Sequence, residues 1–260
     1  MTWWEIVLIA VAGLWAGTIN TVVGSGTLVT FPTLLAFGVP PVTANVSNNI
    51  GLVGGGLSGS WGYRREISAN RGLLLRLLPL SVLGGLGGAL LLLVLPPEAF
   101  QAIVPILIIA GLAMVALAPR VQRAAAAKAG ETAPDTRPSR RRSLLLLAGI
   151  AILGVYGGYF GAAQGILIVC LMSMVTIESL QRINAIKNVL TTAVNAVAAI
   201  TFMLFAWDSI DWAVVLIIAV GATLGGLLGA RVGRRLSPLA LRATILVIGT
   251  AALIRLVFFG

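Results

Sequence analysis

Two short polar clusters interrupt an otherwise apolar chain: Asn45-Val46-Ser47-Asn48-Asn49 and Asn184-Ala185-Ile186-Lys187-Asn188. On a helix, Asn184 and Asn188 share a face with Lys187 beside them, and that face continues toward Thr191, Thr192 and Asn195. Amides, hydroxyls and an ammonium are hydrogen-bond donors, and a donor-rich site suits an anion that presents oxygens. A glycine-containing break precedes each cluster. The first, Gly24-Ser25-Gly26, follows Asn20 and Thr21; the second is Gly161-Ala162-Ala163-Gln164-Gly165. A helix restarting after such a break offers free N–H groups and the positive end of its dipole, which again favours an anion. Gly24 and Gly26 would let the backbone come close to a ligand. The candidate binding residues are therefore Asn20, Gly24, Ser25, Gly26, Asn45, Asn48, Asn49, Gln164, Asn184, Lys187 and Asn188.

Each has a plainer reading. Asn, Ser and Thr often serve only to join membrane helices, and a lysine in the first turns of a span can snorkel to the surface. Catalysis is not expected. The chain has no His, one Cys (Cys170), no HExxH and no paired carboxylates at membrane depth, so no metal or cofactor is implied. It also lacks GxxxxGK[ST], so transport would draw on a gradient rather than on ATP.

The elements that must position these groups follow from composition. Of 260 residues, 58% are hydrophobic and only 10% charged, against about 25% charged in an ordinary soluble domain. A soluble fold cannot hide that much apolar surface, so the expectation is an all-α polytopic membrane protein. Eight stretches approach the length of about 20 residues that crosses a bilayer: 3–23, 42–62, 72–95, 98–118, 144–163, 179–206, 212–231 and 237–258. Two apolar pieces, 27–37 and 166–177, are too short to cross and follow the glycine breaks, so they read as half-helices. Met1-Thr2-Trp3-Trp4-Glu5 has no basic leader, so the first stretch is expected to stay in the mature protein.

The chain repeats. An offset of 141 lays Leu83-Gly84-Gly85-Leu86-Gly87-Gly88-Ala89 on Leu224-Gly225-Gly226-Leu227-Leu228-Gly229-Ala230, and Gly13 and Gly17 on Gly154 and Gly158. An offset of 139 lays Gly26 on Gly165, Asn45 on Asn184 and Asn49 on Asn188. The predicted organisation is a first transmembrane repeat (1–118), a basic cytoplasmic linker (119–143) and a second repeat (144–260). Fifteen of the 18 Lys and Arg fall around Arg64–Arg76, Arg120–Arg142 and Arg231–Arg242, whereas the turns at 95–98 and 207–211 carry only acidic charge. By the positive-inside rule the basic loops are cytoplasmic, and both termini lie outside. Each half then crosses an odd number of times, so the repeats are inverted, an arrangement typical of secondary transporters. The linker has no aromatics and sits at a membrane surface. Attraction to anionic lipid explains its charge, and no nucleic-acid partner is expected.

The run Gly17-Thr18-Ile19-Asn20-Thr21-Val22-Val23-Gly24-Ser25-Gly26-Thr27-Leu28-Val29-Thr30-Phe31-Pro32, with Ala44-Asn45-Val46-Ser47-Asn48 and Tyr63-Arg64-Arg65, resembles the sulfite exporter TauE/SafE family over nearly the whole chain. The break is Gly-Ser-Gly here, where that family usually has more consecutive glycines. The resemblance implies a multi-pass permease of the cell membrane for sulfite, sulfonates or related small anions, working within the lipid bilayer. A homo-oligomer is compatible with it. An anion channel or a non-transporting scaffold remains open at this point.

Overall fold

The structure, a computed structural model, describes residues 1–131, 140–232 and 238–258. Its helices are α1 (Trp3–Val22), α2 (Thr27–Ala36), α3 (Pro41–Gly62), α4 (Arg64–Ala69), α5 (Arg71–Val94), α6 (Pro97–Glu131), α7 (Arg140–Tyr159), α8 (Gln164–Val175), α9 (Leu180–Phe205), α10 (Trp212–Val232) and α11 (Pro238–Phe258), with a 3-10 turn at Trp207–Ser209. No strand occurs among the described residues. The chain is an all-α polytopic membrane protein. Both short pieces after the breaks are helices of 10 and 12 residues, about 15 and 18 Å long.

Among the described residues six helices are long and apolar enough to cross a membrane: α1, α5, α6, α7, α9 and α10. The other two expected spans are α3 and α11. At 22 residues α3 is long enough, but Asn45, Ser47, Asn48 and Asn49 dilute its hydropathy, and all four are buried inside the protein rather than facing lipid. Helix α11, 21 residues from Pro238 to Phe258, has the length of the span expected there. Helices enter the stretch 119–143, expected as a linker, from both sides. The Ala-rich run carries α6 past Pro119 to Glu131, and α7 already begins at Arg140. Alanine, arginine and lysine are good helix formers, so the run extends the helix. Residues 132–139 of the expected linker lie outside the described residues.

The most extensive packing joins the two halves of the chain: α1 on α10, α3 on α10, and α5 on α7 and α9. These contacts come in matched sets. Gly221 and Gly225 of α10 lie on Ala10, Leu14 and Thr18 of α1, and Gly84 and Gly88 of α5 lie on Ala151, Val155 and Tyr159 of α7. Packing thus equates Gly84 with Gly221 and Gly88 with Gly225, one helical turn from the pairing found by sequence offset. The glycines recur every four residues, so a sequence match slides by a turn without penalty. At these crossings the backbones touch. A Cβ on Gly88 would run into the Val155 carbonyl, and one on Gly225 into that of Leu14.

The direction of each helix follows from its neighbours. Successive residues of α10 meet successive residues of both α1 and α3, so these three run parallel, and α5 and α7 are parallel for the same reason. The start of α10 is tied to the first turns of α3, where the Asp211 N–H donates to Ser47 Oγ (2.9 Å). At the opposite end Gln181 of α9 donates to Glu66 of α4 (2.6 Å). One end of the molecule therefore gathers Glu5, Glu98, Asp208 and Asp211, and the other gathers Arg64, Arg71, Arg76, Arg142 and Arg182. Helices α1, α3 and α10 run from the acidic end to the basic end, and α5, α7 and α9 run back.

Candidate functional site

The two breaks meet. Gly24 has φ +94°, a conformation that glycine adopts without strain. A Cβ built on Gly24 would stand 2.7 Å from Gly165 Cα, and one on Gly165 would stand 2.6 Å from Gly24 Cα. Neither residue can carry a side chain, because each is the floor under the other. The Lys187 Cδ methylene lies 3.0 and 2.9 Å from these two imagined carbons, so the lysine stem crosses both breaks. Gly26 serves differently. Its open side faces the Ala16 carbonyl, which makes it a packing glycine between α1 and α2.

Lys187 does not snorkel. It is 0% exposed, and its Nζ donates to the carbonyls of Asn20 (2.8 Å) and Thr21 (3.1 Å). These are among the last carbonyls of α1, which have no partner within their own helix and carry the negative end of its dipole. The ammonium thus caps a broken helix, and Asn188 Nδ2 adds a longer bond to Thr21 O (3.4 Å). The only ion pair among the described residues is Arg182–Glu178, so no carboxylate neutralises Lys187. Two of its three N–H donors are used.

The other half is capped in the same sense. Asn45 Nδ2 of α3 donates to the Tyr159 carbonyl at the end of α7 (2.9 Å). Each polar helix therefore caps the broken helix of the opposite half. Asn48 Oδ1 accepts from Thr30 Oγ1 of α2 in a short contact. The half-helices α2 and α8 start without a side-chain cap, which leaves their first-turn N–H groups without side-chain acceptors.

Several buried polar atoms here have no protein partner: Ser25 Oγ, Asn45 Oδ1, Asn49 Oδ1 and Tyr159 Oη. Ser25 is 1% exposed and Asn49 5%. A buried polar group without a partner costs about 1–3 kcal/mol, so each of these atoms calls for a partner from outside the protein.

Not every predicted residue joins this centre. Gln164 Nε2 donates to the Leu153 carbonyl (2.9 Å) and lies against Gly157, so it holds α8 to α7. Asn20 contributes its carbonyl, while its side chain and that of Asn184 are only half-buried. Three contributors went unnoticed in the sequence. Tyr159 stands two residues before the second break, and a tyrosine in an apolar run beside glycines was the signal for it. Thr30 and the ring cluster of Phe31, Phe100 and Phe160 gave no such signal. Those rings meet edge-on, Phe31 and Phe160 with centroids 5.1 Å apart, and the cluster packs beside Tyr159.

An all-α multi-pass bundle in which two broken helices meet around a buried, carboxylate-free cation has the build of a membrane transporter. The chain belongs to the sulfite exporter TauE/SafE family, whose model matches residues 9–256. It is 27% identical over 247 residues to the "Probable membrane transporter protein ORF9" of a Sinorhizobium species, covering 95% of this chain and 90% of that one. It is 31% identical over 153 residues to the "Probable membrane transporter protein YfcA" of Escherichia coli K12, covering 58% of this chain and 52% of that one. A "Probable membrane transporter protein" of Haemophilus influenzae is 28% identical over 159 residues, covering 60% and 57% of the two chains. No solved structure matches the chain.

Proposed function

We propose that this protein is a secondary transporter for a small oxyanion of the sulfite or organosulfonate class. The two halves form inverted repeats around the meeting point of the breaks and rock about it to give alternating access. One observation carries the reading. Lys187 is fully buried with a free donor and no carboxylate paired to it among the described residues, and its stem crosses Gly24, whose neighbour Ser25 has a buried hydroxyl without a partner. That arrangement is unfavourable when empty and favourable around an anion. The matched packing and opposed helix directions support the inverted repeat, and the family's name supports sulfur oxyanions as cargo. The basic end faces the cytoplasm of the cell membrane under the positive-inside rule, which puts the N-terminus outside.

The test is flux of sulfite and of a small organosulfonate in proteoliposomes. Asn49→Ala and Ser25→Ala remove no hydrogen bond within the protein, so both variants should fold normally while their flux falls at least tenfold. Wild-type flux in both, at unchanged stability, would remove this site. Single-channel recording separates the reading from an anion channel: discrete unitary currents would exclude alternating access.

A further inference from the structure

Outside the central site an internal space lies at the basic end, between the starts of α5 and α7 and the loop from α8 to α9. This cavity of about 330 Å³ is within the range of roughly 300–1,000 Å³ typical of ligand sites. Its walls are apolar, with Leu77, Leu146, Leu147 and Val175 prominent, and its polar side carries Arg76, Arg142 and Glu178. Glu178 is already held by Arg182 (3.2 Å), so its carboxylate does not cancel the charge of Arg76 at the cavity. The surface around it is exposed and apolar: Leu75, Leu144, Met174, Ile177 and Leu180 all face outward. In a membrane protein such a surface faces acyl chains. At the corresponding place of the first half, where α1 starts and α2 ends, the rings of Trp4 and Phe37 meet edge-on at 5.4 Å. The second half has no aromatic pair among the residues lining its space.

We propose that this cavity binds one anionic glycerophospholipid, with its phosphate on Arg76 and Arg142 and the upper part of its chains against the leucine wall. The chemistry required is an anionic head joined to an apolar body. A free phosphate satisfies the arginines alone, and a neutral lipid satisfies only the wall. Guanidinium groups pair with phosphate oxygens through two parallel donors, and basic pockets between helices at a membrane face suit anionic headgroups.

Native mass spectrometry of the full chain, incubated with phosphatidylglycerol or phosphatidylcholine in mixed micelles, tests this. Phosphatidylglycerol should remain bound as a single adduct where phosphatidylcholine does not. Arg76→Gln and Arg142→Gln, both at exposed positions, should each weaken it about fivefold. Leu147→Trp, which fills the cavity and keeps both arginines, should also remove the adduct. The paired change Arg64→Gln with Arg65→Gln, at the same end but outside the lining, should leave it in place. Thermal unfolding followed by circular dichroism confirms that each variant is folded. The proposal is overturned if both lipids are retained equally, if Leu147→Trp retains phosphatidylglycerol, or if the Arg64/Arg65 pair loses as much as the cavity arginines. It is equally overturned if glycerol 3-phosphate at matched concentration displaces the lipid, because the occupant is then a soluble phosphate.

Discussion

Replacing Gly24 by alanine tests whether the two breaks press on each other as described, and two other glycines separate the causes. Gly38 also has a positive φ (+78°), but nothing lies within 4 Å of the space its side chain would fill. Gly38→Ala therefore reports the left-handed backbone cost alone, about 1 kcal/mol. Gly165 sits in the first turn of α8 with ordinary backbone angles, and its Cβ would meet Gly24 Cα at 2.6 Å and Gly24 O at 2.8 Å. Backbone atoms cannot swing aside as a flexible side chain does. Gly165→Ala should cost about 1–3 kcal/mol in overpacking, offset by up to about 1 kcal/mol of helix propensity. Gly24→Ala carries both penalties, with contacts of 2.7 and 2.8 Å to Gly165, and should cost about 2–4 kcal/mol. The assay is reversible unfolding by dodecyl sulfate in mixed micelles, followed by helical circular dichroism. If Gly24→Ala costs no more than Gly38→Ala, the breaks are not in contact, and the site built on them falls with that result.

Three further outcomes are expected. Lys187→Met should weaken anion binding at least 100-fold, since a charge pair near 4 Å is worth about 4 kcal/mol at an effective dielectric of 20; binding calorimetry checks it. The same variant strips a donor from the Asn20 and Thr21 carbonyls, so its thermal midpoint should fall as well. Gly88→Ala and Gly225→Ala should each destabilise by about 1–3 kcal/mol, because both run into a carbonyl of the crossing helix; equal stability to wild type would contradict the close crossing. Thr18→Val removes the Oγ1 bond to Gly225 O (3.0 Å) and should cost only about 0.6 kcal/mol, the average for such bonds between membrane helices; a loss above 2 kcal/mol would mean the hydroxyl does more than join α1 to α10.

The spans were readable because apolar length is a local property. So were the half-helices, since glycine breaks and short apolar runs are visible in a single segment. Lys187 stood out because a cation in an apolar stretch is costly. What Lys187 touches was not readable. Its partners lie on α1, some 167 positions away, and a carbonyl leaves no mark on the amino-acid type that carries it. Gln164 misled for the complementary reason: an amide at a break looks like a ligand group, but a backbone carbonyl on the neighbouring α7 claims it. Asn49 and Asn188 occupy matching positions in the sequence, yet Asn188 reaches a carbonyl whereas the Asn49 oxygen has no partner. Offset matching cannot reveal that difference.

The pairing of α1 with α10 also sets a clock on biosynthesis. The first helix ends at Val22, and the helix it packs against most extensively is complete only at Val232, roughly 200 residues later. At synthesis rates of about 5–20 residues per second, α1 waits roughly 10–40 s in the bilayer for its partner. Throughout that interval Thr18 has no Gly225 carbonyl to meet, and the Asn20 and Thr21 carbonyls have no lysine. A nascent chain of this design depends on whatever shelters those groups at the site of insertion, and a slow translation of its last third lengthens the exposure.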